Sequence, residues 1–410
     1  MPKPPLSTRK LALDVLFEWA KGQDYAAVLI DEAARDLNLP PRDTALLQSL
    51  VLGVLRNQSL LDHWSDMLTE GKQLDRETRD ALRLGLVQLH ILGMPAHAAV
   101  NETVEYAGRA GALVNAVLRR SQREEDKLRA AREAAPLHIR TSHPEWLVQR
   151  WIEQFGEPMT AAICESNQVQ SPTYVRVNKL HAKTPAFEFT RDCGDGFFEV
   201  DSLPHSAIQS GAVYVQDPST AIAPGLLAPT PSHSVLDMCA APGGKTAIMA
   251  QMMRNDGRIL ATDSSAKRIL RLTQNMERLG IKNVTPMAHD WLRAPGGPRE
   301  NKKFDRILID VPCSNTGVMR RRVDVRWRLK PTDFDTLAET QKAMLEAALG
   351  VLAPGGIIVY STCSIDETEN DQIIKQAIET HRELAVIEKK QTFPHRDGID
   401  GSYAAALNRA

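Results

Sequence analysis

The sequence predicts a multidomain chain: an all-α amino-terminal bundle over residues 1–135, a small α/β linker module over 136–225, and a doubly wound α/β domain over 226–410. Three observations carry this division. Apolar residues in the first third recur at helical spacing, with little that looks like a strand. The middle mixes a short helical stretch with strand-like runs. Beyond residue 230 short apolar runs alternate with helical stretches, which is the pattern of a parallel sheet wound with helices.

In the bundle, Leu11, Val15, Leu16 and Trp19 form one apolar stripe. Leu60, Trp64 and Leu68 form a second, and Leu82, Leu86 and Leu89 a third. Ser7 or Thr8 is placed to cap the first helix and Gly22 to end it. One last helix is expected over 112–132, its exposed side carrying Arg119, Arg120, Arg123, Lys127, Arg129 and Arg132. Glu124, Glu125, Asp126 and Glu133 are interspersed, so a solvated face is the simpler reading and RNA contact the alternative. Pro136 breaks the pattern. In the linker module Pro144, Trp146, Leu147 and Trp151 suggest a short helix, and 174–177 and 212–215 look like strands.

In the third segment strands are expected over 234–238, 258–262, 304–309 and 356–360, with a weaker one at 284–288. Helical stretches near 245–255, 265–279, 336–352 and 367–381 lie between them. Ligands of such sheets bind beyond the carboxyl ends of the strands, so the residues just after each strand are the ones that bear on chemistry.

The chain of 410 residues is 43% hydrophobic and 25% charged with a formal net charge of -1, so global charge does not announce a nucleic-acid binder. No apolar run reaches the ~18 residues that span a bilayer. Residues Met1 to Pro5 lack the apolar core of a signal peptide, so a cytoplasmic protein without membrane association is expected. The five cysteines, Cys164, Cys193, Cys239, Cys313 and Cys363, are few, odd in number and far apart. They suggest neither a disulfide framework nor a zinc site, and no metal is expected.

The first strand runs into Asp237-Met238-Cys239-Ala240-Ala241-Pro242-Gly243-Gly244-Lys245-Thr246. Two glycines let backbone approach a ligand at a helix amino terminus. The phosphate-binding G-x-x-x-x-G-K pattern needs glycine where Cys239 stands, and dinucleotide-type glycine spacing is also missing. Asp263 ends the second strand, 20 residues after Gly243, where a carboxylate meets ribose hydroxyls in this architecture. Asp290 follows the third strand, where it could meet an adenine edge, and Asp310 ends the fourth. A single acidic residue at a strand end is usually a cap or a solvated group. Three around a glycine turn suit S-adenosylmethionine, which carries a sulfonium and an ammonium against one carboxylate.

Cys313 follows the fourth strand in Asp310-Val311-Pro312-Cys313-Ser314-Asn315-Thr316-Gly317, and Cys363 follows the fifth in Ser361-Thr362-Cys363-Ser364-Ile365. Two thiols next to such a cofactor have a chemical use. Carbon 5 of cytosine is a poor nucleophile; a thiolate adding to carbon 6 makes it an enamine carbon able to attack a methyl sulfonium. Cysteine suits this because it is nucleophilic when only partly ionised and nearby positive charge lowers its pKa. An amino-group methyltransferase needs no such thiol. Further on, Arg320-Arg321-Arg322, Arg326-Trp327-Arg328 and Lys330 read as a basic run able to hold phosphates and stack a base, with a plain surface charge run as the alternative.

These residues resemble the bacterial small-subunit (16S) ribosomal RNA cytosine-5 methyltransferases of the Sun/RsmB type, within the NOL/NOP2/Sun group. The resemblance spans nearly the whole chain. It includes Leu113 to Arg120, His143-Pro144 with Trp146-Leu147 and Arg150-Trp151, Arg176-Val177-Asn178 and Gln216-Asp217; its most specific parts are 239–245, 310–317 and 362–365. It implies an all-α NusB-like RNA-binding bundle, the small α/β linker module and a Rossmann-like methyltransferase domain. It also implies that Cys363 is the nucleophile and that Cys313 assists release of the methylated product. Cys239, Ala240, Ala241, Pro242, Gly243, Gly244, Lys245, Asp263, Asp290 and Asp310 would hold S-adenosylmethionine, with Arg268 assisting. The partner implied is 16S rRNA, with no DNA and no obligate protein partner expected. Transfer RNA, another rRNA site and a noncatalytic assembly role are the alternatives.

Three departures from the family pattern stand out. Asn315 occupies a position usually held by a small residue; asparagine tolerates a left-handed backbone. Val323 replaces an expected proline, which would loosen its loop. Ser402-Tyr403 replaces an aromatic pair before the last strand, with altered edge packing or substrate fit as the expected consequence.

Overall fold

The computed structural model describes residues 7–183, 185–295 and 303–409; the terminal stretch considered for a signal peptide lies outside them. The chain divides into two compact units: Met1–Val169 with Met319–Leu329, and Gln170–Val318 with Lys330–Ala410. The 136–225 segment is thus shared: its helices Leu137–Arg140, Glu145–Phe155 and Glu157–Ser166 lie in the first unit, and its strands and helix His205–Gln209 in the second.

The first unit is helical. Its elements are α1 (Thr8–Trp19), α2 (Ala26–Asp36), α3 (Pro41–Arg56), α4 (Gln58–Leu68), α5 (Arg76–Leu86), α6 (Ala96–Tyr106), α7 (Gly111–Arg123), α8 (Glu125–Ala134), α9 (Leu137–Arg140), α10 (Glu145–Phe155) and α11 (Glu157–Ser166). Ser7 caps α1, its hydroxyl accepting from the Arg9 amide, and Gly22 turns with φ 85°. The three expected stripes meet in one core, where Leu11, Leu60, Leu82 and Leu86 are buried.

The single helix expected over 112–132 is two. Glu124 leaves helical geometry at φ -110°, ψ 28°, and α8 starts again with Glu125 and Asp126 in its first turn, where acidic side chains favour a helix amino terminus. Three of the six basic residues here are laced to acids: Arg120 pairs with Glu124 and Glu70 at 3.0 Å each, Lys127 with Glu124 at 3.4 Å, and Arg129 with Asp126. That favours the solvated-face reading.

The basic run after Cys313 is also corrected. Residues 319–329 are a strap built into the helical unit. Val323 is fully buried in its core. Asp324 accepts from the Ala26 amide at 2.7 Å and from Trp19 Nε1 at 3.1 Å. Arg326 is buried and donates to the carbonyls of Ser142 and Asn167 at 3.1 and 3.2 Å. Trp327 Nε1 donates to Leu55 O at 2.7 Å, and Arg328 to Trp19 O and Asp24 O. Arg326, Trp327 and Arg328 are therefore committed to protein. Val323 anchors the loop it was expected to loosen.

The second unit holds two sheets. Strands β1 (Thr173–Val177), β2 (Arg191–Asp192), β3 (Phe197–Val200) and β4 (Val213–Val215) form an antiparallel sheet in the order β2-β3-β1-β4. Strands β5 (Ser234–Asp237), β6 (Arg258–Asp263), β7 (Val284–Ala288), β8 (Phe304–Asp310), β9 (Leu352–Thr362), β10 (Leu384–Thr392) and β11 (Ser402–Arg409) form the large sheet, ordered β10-β11-β9-β8-β5-β6-β7. Strands β5 to β9 are parallel, with helices Gly244–Met252, Ala266–Arg278 and Pro331–Val351 in the connections. This is the Rossmann-like arrangement that the alternating pattern predicts.

In the large sheet the antiparallel edge, β10 and β11, has no counterpart among the expected strands, and neither do β2 and β3 in the small one. The altered terminus fits it: Tyr403 is buried and its hydroxyl donates to Asp371 Oδ1 at 2.8 Å, while the Ser402 amide donates to Thr392 Oγ1 at 3.0 Å. The departure at Ser402-Tyr403 leaves the edge packed. No helix among the described residues is long and apolar enough to cross a membrane.

Candidate active site at the strand ends

β5 ends in the buried Asp237, which accepts from Thr246 Oγ1 at 2.7 Å through Oδ2. Its Oδ1 is buried without a hydrogen-bond partner. Burial pushes the carboxyl up to about 7, and Asp310 adds to that, although the Thr246 hydroxyl and Lys245 work against it. The turn that follows is fixed by backbone: the Ala240 amide donates to Thr262 O at 2.8 Å, and that of Gly243 to Ala240 O at 2.7 Å. Gly243 sits at φ 105°, a backbone conformation that L side chains rarely adopt, so the turn calls for glycine. Helix Gly244–Met252 starts on it, which directs amides toward the strand ends.

Around this turn the acidic strand ends gather. Burial raises the Cys239 thiol far above its ordinary value, and Asp310, Asp237 and Asp263 raise it further, so three carboxylates act on one point. Asp263 is buried; its Oδ1 accepts from the Ser265 amide at 3.0 Å and its Oδ2 faces Arg268 Nη1 at 3.3 Å. Arg268 also donates through Nη2 to Ala241 O at 2.5 Å, which ties the turn to the carboxylate. Asp310 accepts from Lys245 Nζ at 2.7 Å. Burial disfavours the Lys245 charge, but Asp310, Cys363 and Asp237 together outweigh it and hold the ammonium above its usual range. Asp290 follows β7, partly exposed, accepting from the Leu292 amide at 3.0 Å and facing Arg293 at 3.5 Å.

The two cysteines beyond β8 and β9 meet: Cys313 Sγ and Cys363 Sγ are 3.2 Å apart. Adjacent parallel strands bring both ends to one edge, and the sequence separation of 50 residues is closed by the sheet. The Cys363 hydrogen bond, then burial, then the charges of Cys363 and Glu369 hold the Cys313 thiol well above its ordinary value. Cys313 is thus held as a neutral thiol. Lys245 brings positive charge to Cys363.

Sequence reasoning missed what aligns the pair. Glu369 is buried and accepts from the Ser314 amide at 2.8 Å, Ser314 Oγ at 2.5 Å, Ser364 Oγ at 2.6 Å and Gln341 Nε2 at 2.9 Å. Ser314 and Ser364 each follow a cysteine, so one carboxylate clamps both loops. Burial raises its pKa although these donors oppose it. The available signal was the acidic stretch Asp366 to Asn370 directly after Ile365. Gly317 closes the site: its amide donates to Cys363 O and its carbonyl accepts from the Gly401 amide, both at 2.9 Å. A Cβ on Gly317 would meet Gly401 O at 2.4 Å, so no larger residue fits.

A Rossmann-like sheet with carboxylates at successive strand ends and a glycine turn between them is the architecture of the methyltransferase class. Residues 224–408 match the model for 16S rRNA methyltransferase RsmB/F, residues 6–123 match the NusB family, and residues 143–187 match the RsmF/B-like ferredoxin-like domain. The probable ribosomal RNA small subunit methyltransferase B of Bacillus subtilis is 32% identical, covering 98% of this chain and 99% of its own. The ribosomal RNA small subunit methyltransferase B of Pseudomonas putida is 35% identical over 95% and 97%. The solved structure of PH0851 shares the fold with a TM-score of 0.79 at 24% identity, covering 100% of this chain and 99% of that one. The chain belongs to the RsmB/F family of methyltransferases.

Proposed function

We propose that this protein transfers a methyl group from S-adenosylmethionine to carbon 5 of a cytosine in 16S rRNA through a covalent adduct with Cys363. The observation that carries the reading is the pair of thiols 3.2 Å apart beyond adjacent strands, next to an acidic cofactor cradle. Family membership and the names of the relatives support the ribosomal substrate. The division into a helical RNA-binding segment (1–135), a linker module (136–225) and a catalytic segment (226–410) belongs to the same proposal, as does action in the cytoplasm.

The residues fit the cofactor chemically. Asp237 Oδ1 is buried with no hydrogen-bond partner, and Asp263 and Asp310 act on the same turn, so a cation is favoured there and a pyrophosphate repelled. Residues 239–245 with Asp263, Arg268, Asp290 and Asp310 would hold S-adenosylmethionine, which supplies an electrophilic methyl group when bound. Cys363 then adds to carbon 6 of the cytosine, making carbon 5 nucleophilic. Lys245 supports the negative charge on its sulfur. A base then takes the carbon 5 proton, the carbon 5–carbon 6 double bond re-forms and the Cys363 sulfur–carbon 6 bond breaks with its electron pair on sulfur; Cys313, protonated beside it, donates its proton to that leaving thiolate.

The test is nucleoside mass spectrometry, mapped by fragment, on unmodified 16S rRNA incubated with protein and S-adenosylmethionine, with Cys363→Ala alongside. One new 5-methylcytosine, absent with the variant, is expected. A methyl group at any other atom, or wild-type turnover by Cys363→Ala, overturns the reading; methylation of transfer RNA alone overturns the substrate.

A further inference from the structure

Asn315, in the loop that follows Cys313, carries a side chain that touches the proposed nucleophile. Asn315 Oδ1 accepts from Cys363 Sγ at 3.2 Å, and its Nδ2 donates to Cys313 O at 2.9 Å. The carboxamide therefore bridges the two cysteine loops. Its backbone is left-handed at φ 60°, which asparagine tolerates and most residues do not.

That second bond fixes the first. Turning the carboxamide to present Nδ2 to the sulfur would bring Oδ1 against the Cys313 carbonyl, two acceptors facing each other. The oxygen is pinned toward Cys363. An acceptor at that distance stabilises S–H and opposes S⁻, because a hydrogen bond to the neutral form disfavours the charged one. The other groups acting here are the Cys313 thiol at 3.2 Å and the Lys245 ammonium, with Asp310 and Asp237 on Lys245 and Glu369 on Cys313. Lys245 favours the thiolate, and Asn315 acts against it.

We infer that Asn315 is a positioning residue that holds Cys363 as an oriented thiol, its proton directed at Oδ1, until substrate enters. This rests on Cys363 being the nucleophile. A residue without a side chain in this place would leave the Lys245 influence unopposed. The functional consequence is a less reactive resting thiol beside a second thiol with which it could otherwise pair.

The test is the pH dependence of Cys363 alkylation by iodoacetamide in the full-length protein, read by peptide mass spectrometry with Cys313 followed separately. Asn315→Gly is the main variant, because glycine accepts φ 60° without strain. Losing a hydrogen bond of about 1 kcal/mol should make alkylation at pH 7 on the order of fivefold faster, with the profile moved to lower pH. Asn315→Asp, which places a charge against the sulfur, should slow it and move the profile to higher pH. Superimposable wild-type and Asn315→Gly profiles overturn the inference, as do shifts of both variants in one direction. Methyl transfer by Cys363→Ala separates the two claims. If that variant keeps turnover the nucleophile reading fails; if it is inactive while alkylation is unchanged by Asn315→Gly, only the role of Asn315 fails.

Discussion

At the scale of single residues, the site assigns different protonation states to chemically similar groups. Asp237 carries a pKa raised to about 7 by burial. A raised carboxyl means that the folded protein binds the proton more tightly than the unfolded chain, so this group's contribution to stability falls as pH rises from about 4 toward 7. A bound cation favours the ionised form instead. Affinity for S-adenosylmethionine should then weaken below pH 7, by at most about tenfold per unit, and binding near pH 7 should release protons. Titration calorimetry in buffers of different ionisation enthalpy measures this, and Asp237→Asn should flatten the dependence. Among the thiols, Cys313→Ala should accumulate a covalent protein–RNA adduct, visible as a slow band on denaturing gels. Absence of that band removes the release role. Glu369→Ala leaves the donors of Ser314, Ser364 and Gln341 without their acceptor and should cost on the order of 3 kcal/mol, measured by chemical denaturation.

At the scale of elements, the strap 319–329 carries the lesson. By composition it looks like a nucleic-acid contact, with three arginines in a row and an Arg-Trp-Arg following. Arg328, Trp327 and Arg326 are instead spent on carbonyls at the end of α1, in α3 and between α9 and α10, while Asp324 accepts from the Trp19 indole. Asp324→Ala would strip an acceptor from the Ala26 amide and Trp19 indole and should destabilise the helical unit by about 3 kcal/mol. Val323→Ala, at a fully buried position, should cost about 2 kcal/mol. Both should lower the thermal midpoint; a purely RNA-binding strap would instead change affinity and leave stability intact. The antiparallel edge makes a related point, because Tyr403 buries its ring there while its hydroxyl reaches Asp371.

At the scale of the whole molecule, the chain does not divide at a single linker. A segment that follows Cys313 in sequence belongs to the helical unit, and the chain then returns to the catalytic one at Lys330. A chain ending at Val169 would lack Val323, Asp324 and Arg326 and should melt at lower temperature than the helical unit of the intact protein. Adding the 319–329 peptide in excess should restore part of the loss by mass action. Equal stability with and without the peptide would mean that the strap is passive.

The sequence by itself determined the fold class, the five parallel strands and the helical stripes, because burial on one helix face or on both sheet faces leaves a local periodicity. It also determined which motifs stand at the strand ends, since Cys239 to Lys245, Asp263, Asp310, Cys313 and Cys363 each follow an apolar run directly. What only the tertiary structure decided are relations between distant residues. The meeting of Cys313 with Cys363, the Glu369 clamp, the pinned Asn315 carboxamide and the burial of Arg326 have no local signature. Each depends on a contact closed by the fold across many residues, and an arginine or glutamate in a sequence is the same whether it faces water or a buried carbonyl. Position in the packed chain supplies the missing term: removal from water forces each such group to find a partner, and the partner defines its role.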